Sequence, residues 1–204
     1  MNFCSHCGDP VQRRVPEGDD RERHVCTSCA TVHYVNPRSV VGCLVTDEAD
    51  RLLLCRRAIE PAHGRWTVPA GYLEVGESAI AGALRETFEE AGARVRIAAP
   101  HSRLDMPHIG QFYELFRARV EGPLQPFGLE SSEVAWFDLD EVPWAELAFP
   151  VVHWGLRLFH EDARAARFHL HHGVLRWDGD GDRYAADSYV LEEHWRTPLH
   201  PAET

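Results

Sequence analysis

Residues 71–93, GYLEVGESAIAGALRETFEEAGA, decide how the rest of the chain is read. Ser78 can cap a helix N-terminus, Ala79 to Ala91 are mostly good helix formers, and Gly92 suits the residue just past a helix end. On that helix Glu86, Glu89 and Glu90 stand at i, i+3 and i+4, on one face and about a turn apart. Like charges at those spacings disfavour an isolated helix by roughly 0.2–0.5 kcal/mol per pair, which makes a neutralising divalent cation a natural partner. Oxygen-only ligands point to a hard ion, magnesium or manganese before zinc. A solvated acidic helix face costs so little that energetics alone do not exclude it.

The spacing is more discriminating. Gly71, Glu77, Arg85, Glu86, Glu89, Glu90 and Gly92 fill seven fixed positions. At about 6–7% usage each, a chance match per start site is on the order of 10⁻⁸ to 10⁻⁹. The stretch resembles the Nudix box, G-x5-E-x7-R-E-U-x-E-E-x-G-U with U aliphatic. Every charged and glycine position is filled, while Thr87 and Ala93 are weak occupants of the two U positions.

At 204 residues and 44% hydrophobic, the chain suits one domain of ordinary size, alone or with a small appendage. No apolar run approaches about 18 residues and no signal-peptide core follows Met1, so the expectation is a cytoplasmic protein with no membrane partner. Net charge is −11, and residues 1–38 balance at five Arg against five acids. The rest of the chain therefore carries the whole deficit, which disfavours binding along a nucleic-acid backbone. All 21 basic residues are Arg. That excludes a Gly-Lys phosphate-binding loop and a lysine Schiff base.

Toward the N-terminus, Cys4-x2-Cys7 and Cys26-x2-Cys29, eighteen residues apart, have the spacing of a four-thiolate zinc site. Two disulfides are the alternative, against which a cytosolic setting weighs. The segment between the pairs is too polar to fold without the metal. His6, His24 and His33 read as surface residues, since four thiolates saturate zinc.

Asn36-Pro37 marks a boundary. SVVGCLVTD (39–47) and RLLLCRR (51–57) are strands joined across Asp47 to Asp50, with Cys43 and Cys55 as buried free thiols. WTVPAG (66–71) is a short strand stopped at Pro69; Trp66 reads as a core or wall residue on which a base could stack. After the helix, RVRIA (94–98), HSRLDMP (101–107), GQFYELFRARVEG (110–122) and EVAWFDL (133–139) read as strands. LAFPVVHWGLRLFHEDARA (147–165) has helical spacing, with its start just before Pro150. RFHLHHGVLRW (167–177) resembles a hairpin around Gly173. Its His169, His171 and His172 are not read as ligands, because alternation sets the third opposite the first two and no acid cluster joins them. Asp178, Asp180 and Asp182 form an acidic turn rather than a calcium loop, since Arg183 and Tyr189 stand where glycine and glutamate are needed. The tail from Thr197 is expected to be disordered.

The ribbon, the tract VVGCL…LLLCRR…WTVPAGYLEVGESA, the box, LDMPHIGQFY and ESSEVAWFDLDEVPW together resemble zinc-ribbon Nudix hydrolases, especially the group of the plant chloroplast FAD pyrophosphatase and the ADP-ribose pyrophosphatases. The resemblance implies an α+β fold, the Nudix α/β/α sandwich with a mixed sheet, preceded by a small zinc ribbon. The domains expected are the ribbon at 1–36, the Nudix domain at 37–165, and a C-terminal hairpin and tail at 166–204. The implied activity is a Nudix pyrophosphohydrolase dependent on Mg2+ or Mn2+. It would cut a small dinucleotide, FAD to FMN and AMP, with ADP-ribose or NAD(H) as the alternative. The resemblance also implies cation ligation by Glu86, Glu89, Glu90 and the Ala70 carbonyl, and an Arg85–Glu77 pair that steadies the cluster. Glu86 or Glu133 would be the base, with Glu130 second to Glu133, and structural Zn2+ would sit on Cys4, Cys7, Cys26 and Cys29. Trp66, Tyr72 and Arg57 are the candidate substrate contacts. The branch that hydrolyses NAD(H) carries Ser-Gln-Pro-Trp-Pro-Phe-Pro after the box, which is missing here, and Pro107 is a near miss to a proline common in ADP-ribose hydrolases. A non-catalytic nucleotide- or RNA-binding regulator is the reading from another class, opposed by the intact box. A homodimer is left open.

Overall fold

The computed structural model of the chain describes residues 1–199. It divides into two compact units, Met1–Pro37 and the chain from Arg38 onward. In the first unit β1 (Val11–Arg14), β2 (Arg23–Cys26) and β3 (Val32–His33) form an antiparallel sheet in that order. Its buried hydrophobic residues are Cys4, Val25 and Cys26, so the interior is made largely of thiols rather than aliphatic side chains. So small an apolar core is typical of units that need a metal or a crosslink to fold.

The second unit contains β4 (Arg38–Thr46), β5 (Leu52–Arg57), β6 (Trp66–Thr67), β7 (Ala70–Tyr72), α1 (Ala79–Ala91), β8 (Val95–Met106), β9 (Gln111–Val120), β10 (Ser131–Phe137), α2 (Pro150–Arg164), β11 (His169–Trp177) and β12 (Tyr189–Pro198). The sheet order is β10-β5-β4-β9-β8-β11-β12, with β6 on β5 and β7 on β4. The β4/β9 and β8/β11 pairs are parallel and the others antiparallel, so the sheet is mixed. Alternation along the strands builds a helix–sheet–helix sandwich. Val41, Cys43 and Val45 of β4 and Leu53 and Cys55 of β5 join Ala83 and Ala91 of α1 in one core cluster. Leu44, Leu52 and Leu54 join Val151, Val152 and Leu156 of α2 in the other. Cys43 and Cys55 are buried and unbridged. No described helix is long and apolar enough to cross a membrane.

Local chemistry explains several of these elements. Asp47 Oδ1 accepts from the Ala49 and Arg51 amides and so makes the β4–β5 turn. Pro69 divides the tract 66–71 into two strands that pair with different neighbours, because proline has no amide to continue a ladder. Residues expected as two strands around Pro100 form the single strand β8, which absorbs the proline in register shifts at Ile97/Ala99 and Pro100/Ser102.

Two expectations near the C-terminus are corrected. Gly173 is not a hairpin turn; it lies inside β11 at a register shift opposite β12, where a Cβ would press on Leu191. The hairpin is instead β11–β12, and β11 also runs parallel to β8, so it extends the same sheet. Thr197 and Pro198 are not a disordered tail, since they pair with Leu170 and His169; the part of that expectation falling on residues 200–204 lies outside the described residues.

Candidate active site

Helix α1 has the bounds that its composition dictates. Ser78 Oγ accepts from the Ala81 amide at 3.1 Å, and Gly92 adopts the left-handed conformation with φ 62°, its amide donating to Phe88 O. A Cβ at Gly92 would overlap the Gln125 carbonyl, so the glycine also admits the following loop. The Gly128 amide donates to Glu89 O at 2.7 Å and fastens that loop, with Glu130, to the helix end. Thr87, in a position that favours an aliphatic residue, satisfies its buried hydroxyl by donating to Ala83 O at 2.7 Å.

Arg85 organises the acids. It donates to both Glu77 oxygens at 2.7 and 3.1 Å, and its Nη1 reaches Glu86 Oε1 at 2.7 Å and Glu89 Oε2 at 3.1 Å. A further bond to Tyr72 O at 3.2 Å ties this fan to β7. Charge-assisted bonds of this kind are short and directional, and the bidentate Glu77 pair fixes the plane of the guanidinium. It also holds the Glu77 carboxyl below the usual range. Glu90 behaves differently. It is 6% exposed, accepts from the Ala70 amide at 2.9 Å, and has its carboxyl pushed up to about 7 by burial, which that amide only partly offsets. Burial also raises Glu86, against the pull of Arg85.

Gly71 explains how Glu86 fits, because a Cβ there would overlap its carboxylate. That cradle, the oxygen-rich donor set and the raised carboxyls of Glu86 and Glu90 fit a hard divalent cation. Glu86 and Glu89 are turned onto Arg85, and the carboxylates do not yet converge within one coordination sphere. All three acids line a cavity of about 1030 Å³ together with Ala70, Gly71 and Glu130. Its wall also carries Tyr113, Phe149 and Tyr189. Arg38 lies over the Tyr72 ring at 4.7 Å and Arg57 over Phe149 at 5.1 Å, placing two cations beside aromatic faces.

In the first unit the four thiols converge, with Sγ atoms 3.7 Å apart for Cys4–Cys29, 3.4 Å for Cys7–Cys26 and 3.5 Å for Cys7–Cys29. Backbone amides of His6, Ser28 and Cys29 donate to the Cys4 and Cys26 sulfurs and fix their positions. His33, expected at the surface, is half-buried with Nε2 3.2 Å from Cys4 Sγ.

A NUDIX domain profile matches residues 36–155 and a zinc-ribbon profile described as Nudix N-terminal matches residues 2–35. The chain belongs to the Nudix hydrolase family. A Nudix hydrolase of known structure from Nitrosomonas europaea is 44% identical, with a TM-score of 0.81 over 85% of this chain and 98% of that one. The NAD-capped RNA hydrolase NudC of Chromobacterium violaceum is 30% identical over 74% of this chain and 55% of its own length. The mitochondrial NAD(P)H pyrophosphatase NUDT13 of Mus musculus is 31% identical over 70% of this chain and 40% of its own. The chain thus spans about half the length of these two curated relatives.

Of the residues singled out in the sequence, the structure brings Ala70, Tyr72, Arg57, Arg85, Glu86, Glu89 and Glu90 to one Nudix cavity. Two depart from expectation. Trp66 is in the core, edge-on to Phe137 at 5.0 Å, so no base can stack on it. Glu133 is outside the cavity and pairs with Arg56 at 3.3 Å, because the register shift between Ser131 and Glu133 sets it opposite Arg56. Glu130, the second choice, is on the cavity wall. The sequence reading missed Tyr113, Phe149 and Tyr189; aromatic residues in apolar runs carry no signal that separates cavity wall from core.

Proposed function

We propose that this chain is a divalent-cation-dependent Nudix pyrophosphohydrolase acting on nucleoside diphosphate derivatives, with NAD(H) ranked ahead of FAD and ADP-ribose. The observation that carries the reading is the Arg85-centred acid cluster, with the buried Glu90 beside it, opening on a cavity large enough for a dinucleotide. NAD(H) precedes FAD because the NudC and NUDT13 relatives are named for NAD-containing substrates. Against it stands the missing Ser-Gln-Pro-Trp-Pro-Phe-Pro tract.

When bound, a magnesium or manganese ion would neutralise charge on the bridging phosphates. Glu86, Glu89 and Glu90 would hold it, leaving Arg85 fixed by its two bonds to Glu77. Arg38 and Arg57 supply positive charge to the remaining phosphate oxygens, and Phe149, Tyr72 and Tyr113 offer apolar surface to base or ribose. Glu86 and Glu130 are the carboxylates from which a base that takes a proton from the attacking water would come. Zinc on the four converging thiols gives the N-terminal unit the core it otherwise lacks.

The test is a substrate panel of NAD(H), FAD, ADP-ribose, nucleoside triphosphates and NAD-capped RNA with magnesium or manganese. Cleavage of the dinucleotide pyrophosphate bond is expected. Faster turnover of triphosphates would refute the dinucleotide reading. Salt-sensitive RNA binding without hydrolysis of any member would replace the enzyme by a regulator.

A further inference from the structure

Three buried side chains that play no part in the cavity meet where α2 packs against β8 and β11: His101, Asp162 and His171. One potential ligand atom from each lies within 4.8 Å of the other two, and His171 Nε2 is 3.0 Å from Asp162 Oδ2. Zinc bonds of about 2.0–2.1 Å in tetrahedral geometry separate the ligand atoms by about 3.3 Å, so the group needs only side-chain adjustment to close on an ion.

Three features set this cluster apart from an ordinary buried hydrogen-bond network. His101 Nδ1 is fully buried and has no partner among the described residues. Leaving such an atom unsatisfied costs on the order of 1–3 kcal/mol, and a metal would use that lone pair. The other nitrogen of each imidazole is already anchored, His101 Nε2 at 3.2 Å from the Gly155 carbonyl and His171 Nδ1 at 3.1 Å from His194 Nε2. Those are the outer bonds that orient metal-ligating histidines. Asp162 is braced as well, since Oδ1 lies 2.7 Å from His169 Nδ1 and Oδ2 accepts from the His169 amide at 2.7 Å. The acid missing from the histidine run in sequence is thus supplied by the helix before it.

We propose that His101, Asp162 and His171 form a second zinc site, which pins α2 to β8 and to the β11–β12 hairpin. Two nitrogens and one carboxylate oxygen select zinc over magnesium. With the ion bound, His171 carries its proton on Nδ1 and donates it to His194. The site is structural. Asp162 is eleven residues along α2 from the cavity residue Val151, which at 1.5 Å per residue is about 16 Å.

The test counts metal in the full chain, saturated with zinc and then dialysed against excess magnesium so that the exchangeable box acids retain none. Mass-spectrometric metal analysis of the wild type should give two zincs per chain. His101→Phe, which fills the volume and removes the lone pair, should give one, with circular dichroism unchanged. Equal zinc content in the two proteins would overturn the proposal. If His101→Phe does not fold, zinc-edge X-ray absorption of His33→Ala, which removes the imidazole beside Cys4, decides. An imidazole signature beside the sulfur shell in that variant supports the site, and a shell of sulfur alone refutes it.

Discussion

Glu90→Gln should change how the stability of the second unit depends on pH, in a direction set by its burial. The Glu90 carboxyl is raised from 4.5 to about 7. A group whose folded pKa exceeds its unfolded value contributes fully below the unfolded pKa, and that contribution is lost as pH rises through the folded one. In magnesium-free buffer the wild type should therefore lose stability between about pH 4.5 and 7. The size is 7 − 4.5 = 2.5 units, or about 3 kcal/mol at roughly 1.4 kcal/mol per unit. Gln can still accept from the Ala70 amide but does not titrate, so the stability of the variant minus that of the wild type should climb by about 3 kcal/mol over this window and then level off. Glu86 shifts in the same direction and its charge adds to the Glu90 shift, so the climb reports the two interacting carboxyls together. Urea denaturation followed by tryptophan fluorescence isolates the relevant unit, because all six Trp lie beyond residue 38. Saturating magnesium should shrink the climb, since a bound cation favours the ionised carboxylate. Parallel stability curves for the two proteins from pH 4.5 to 7 without magnesium would refute the assignment of Glu90 as a destabilised, cation-seeking carboxylate.

Glu89→Gln should lower turnover at least about a hundredfold, roughly 2.7 kcal/mol, while dinucleotide affinity measured by calorimetry changes far less. Near-normal turnover at saturating magnesium would make the cluster a solvated helix face. Gly71→Ala puts a methyl group where the Glu86 carboxylate sits, so magnesium titration should show weakened cation binding, with about 1–3 kcal/mol lost from stability. Glu133→Gln should leave kcat within about twofold because its partner is Arg56 outside the cavity, whereas Glu130→Gln should lower it at least about tenfold. The opposite ranking would restore the assignment read from the sequence.

What the amino-acid sequence determined by itself is what short-range chemistry controls. The bounds of α1, its Ser78 cap, the Gly92 terminus, the Asp47 turn and the start of α2 at Pro150 each follow from the chemistry of a few neighbouring residues. So does the order of acids along one helical face, and with it the box. Only the tertiary structure decided which strand residues face the cavity, because side-chain direction has a period of two and a single register shift reverses it. The shift after Ser131 sends Glu133 to Arg56, and the one after His172 keeps Gly173 inside a strand instead of at a turn. Meetings between elements are equally invisible in one dimension. The tyrosine of β12 reaches the wall beside the box acids, and Asp162 of α2 joins His101 and His171, through strand pairings such as β8 with β11, whose partners lie 69 residues apart in the chain. Those pairings are set by burying two faces of one sheet at once, a condition that no local stretch of sequence expresses.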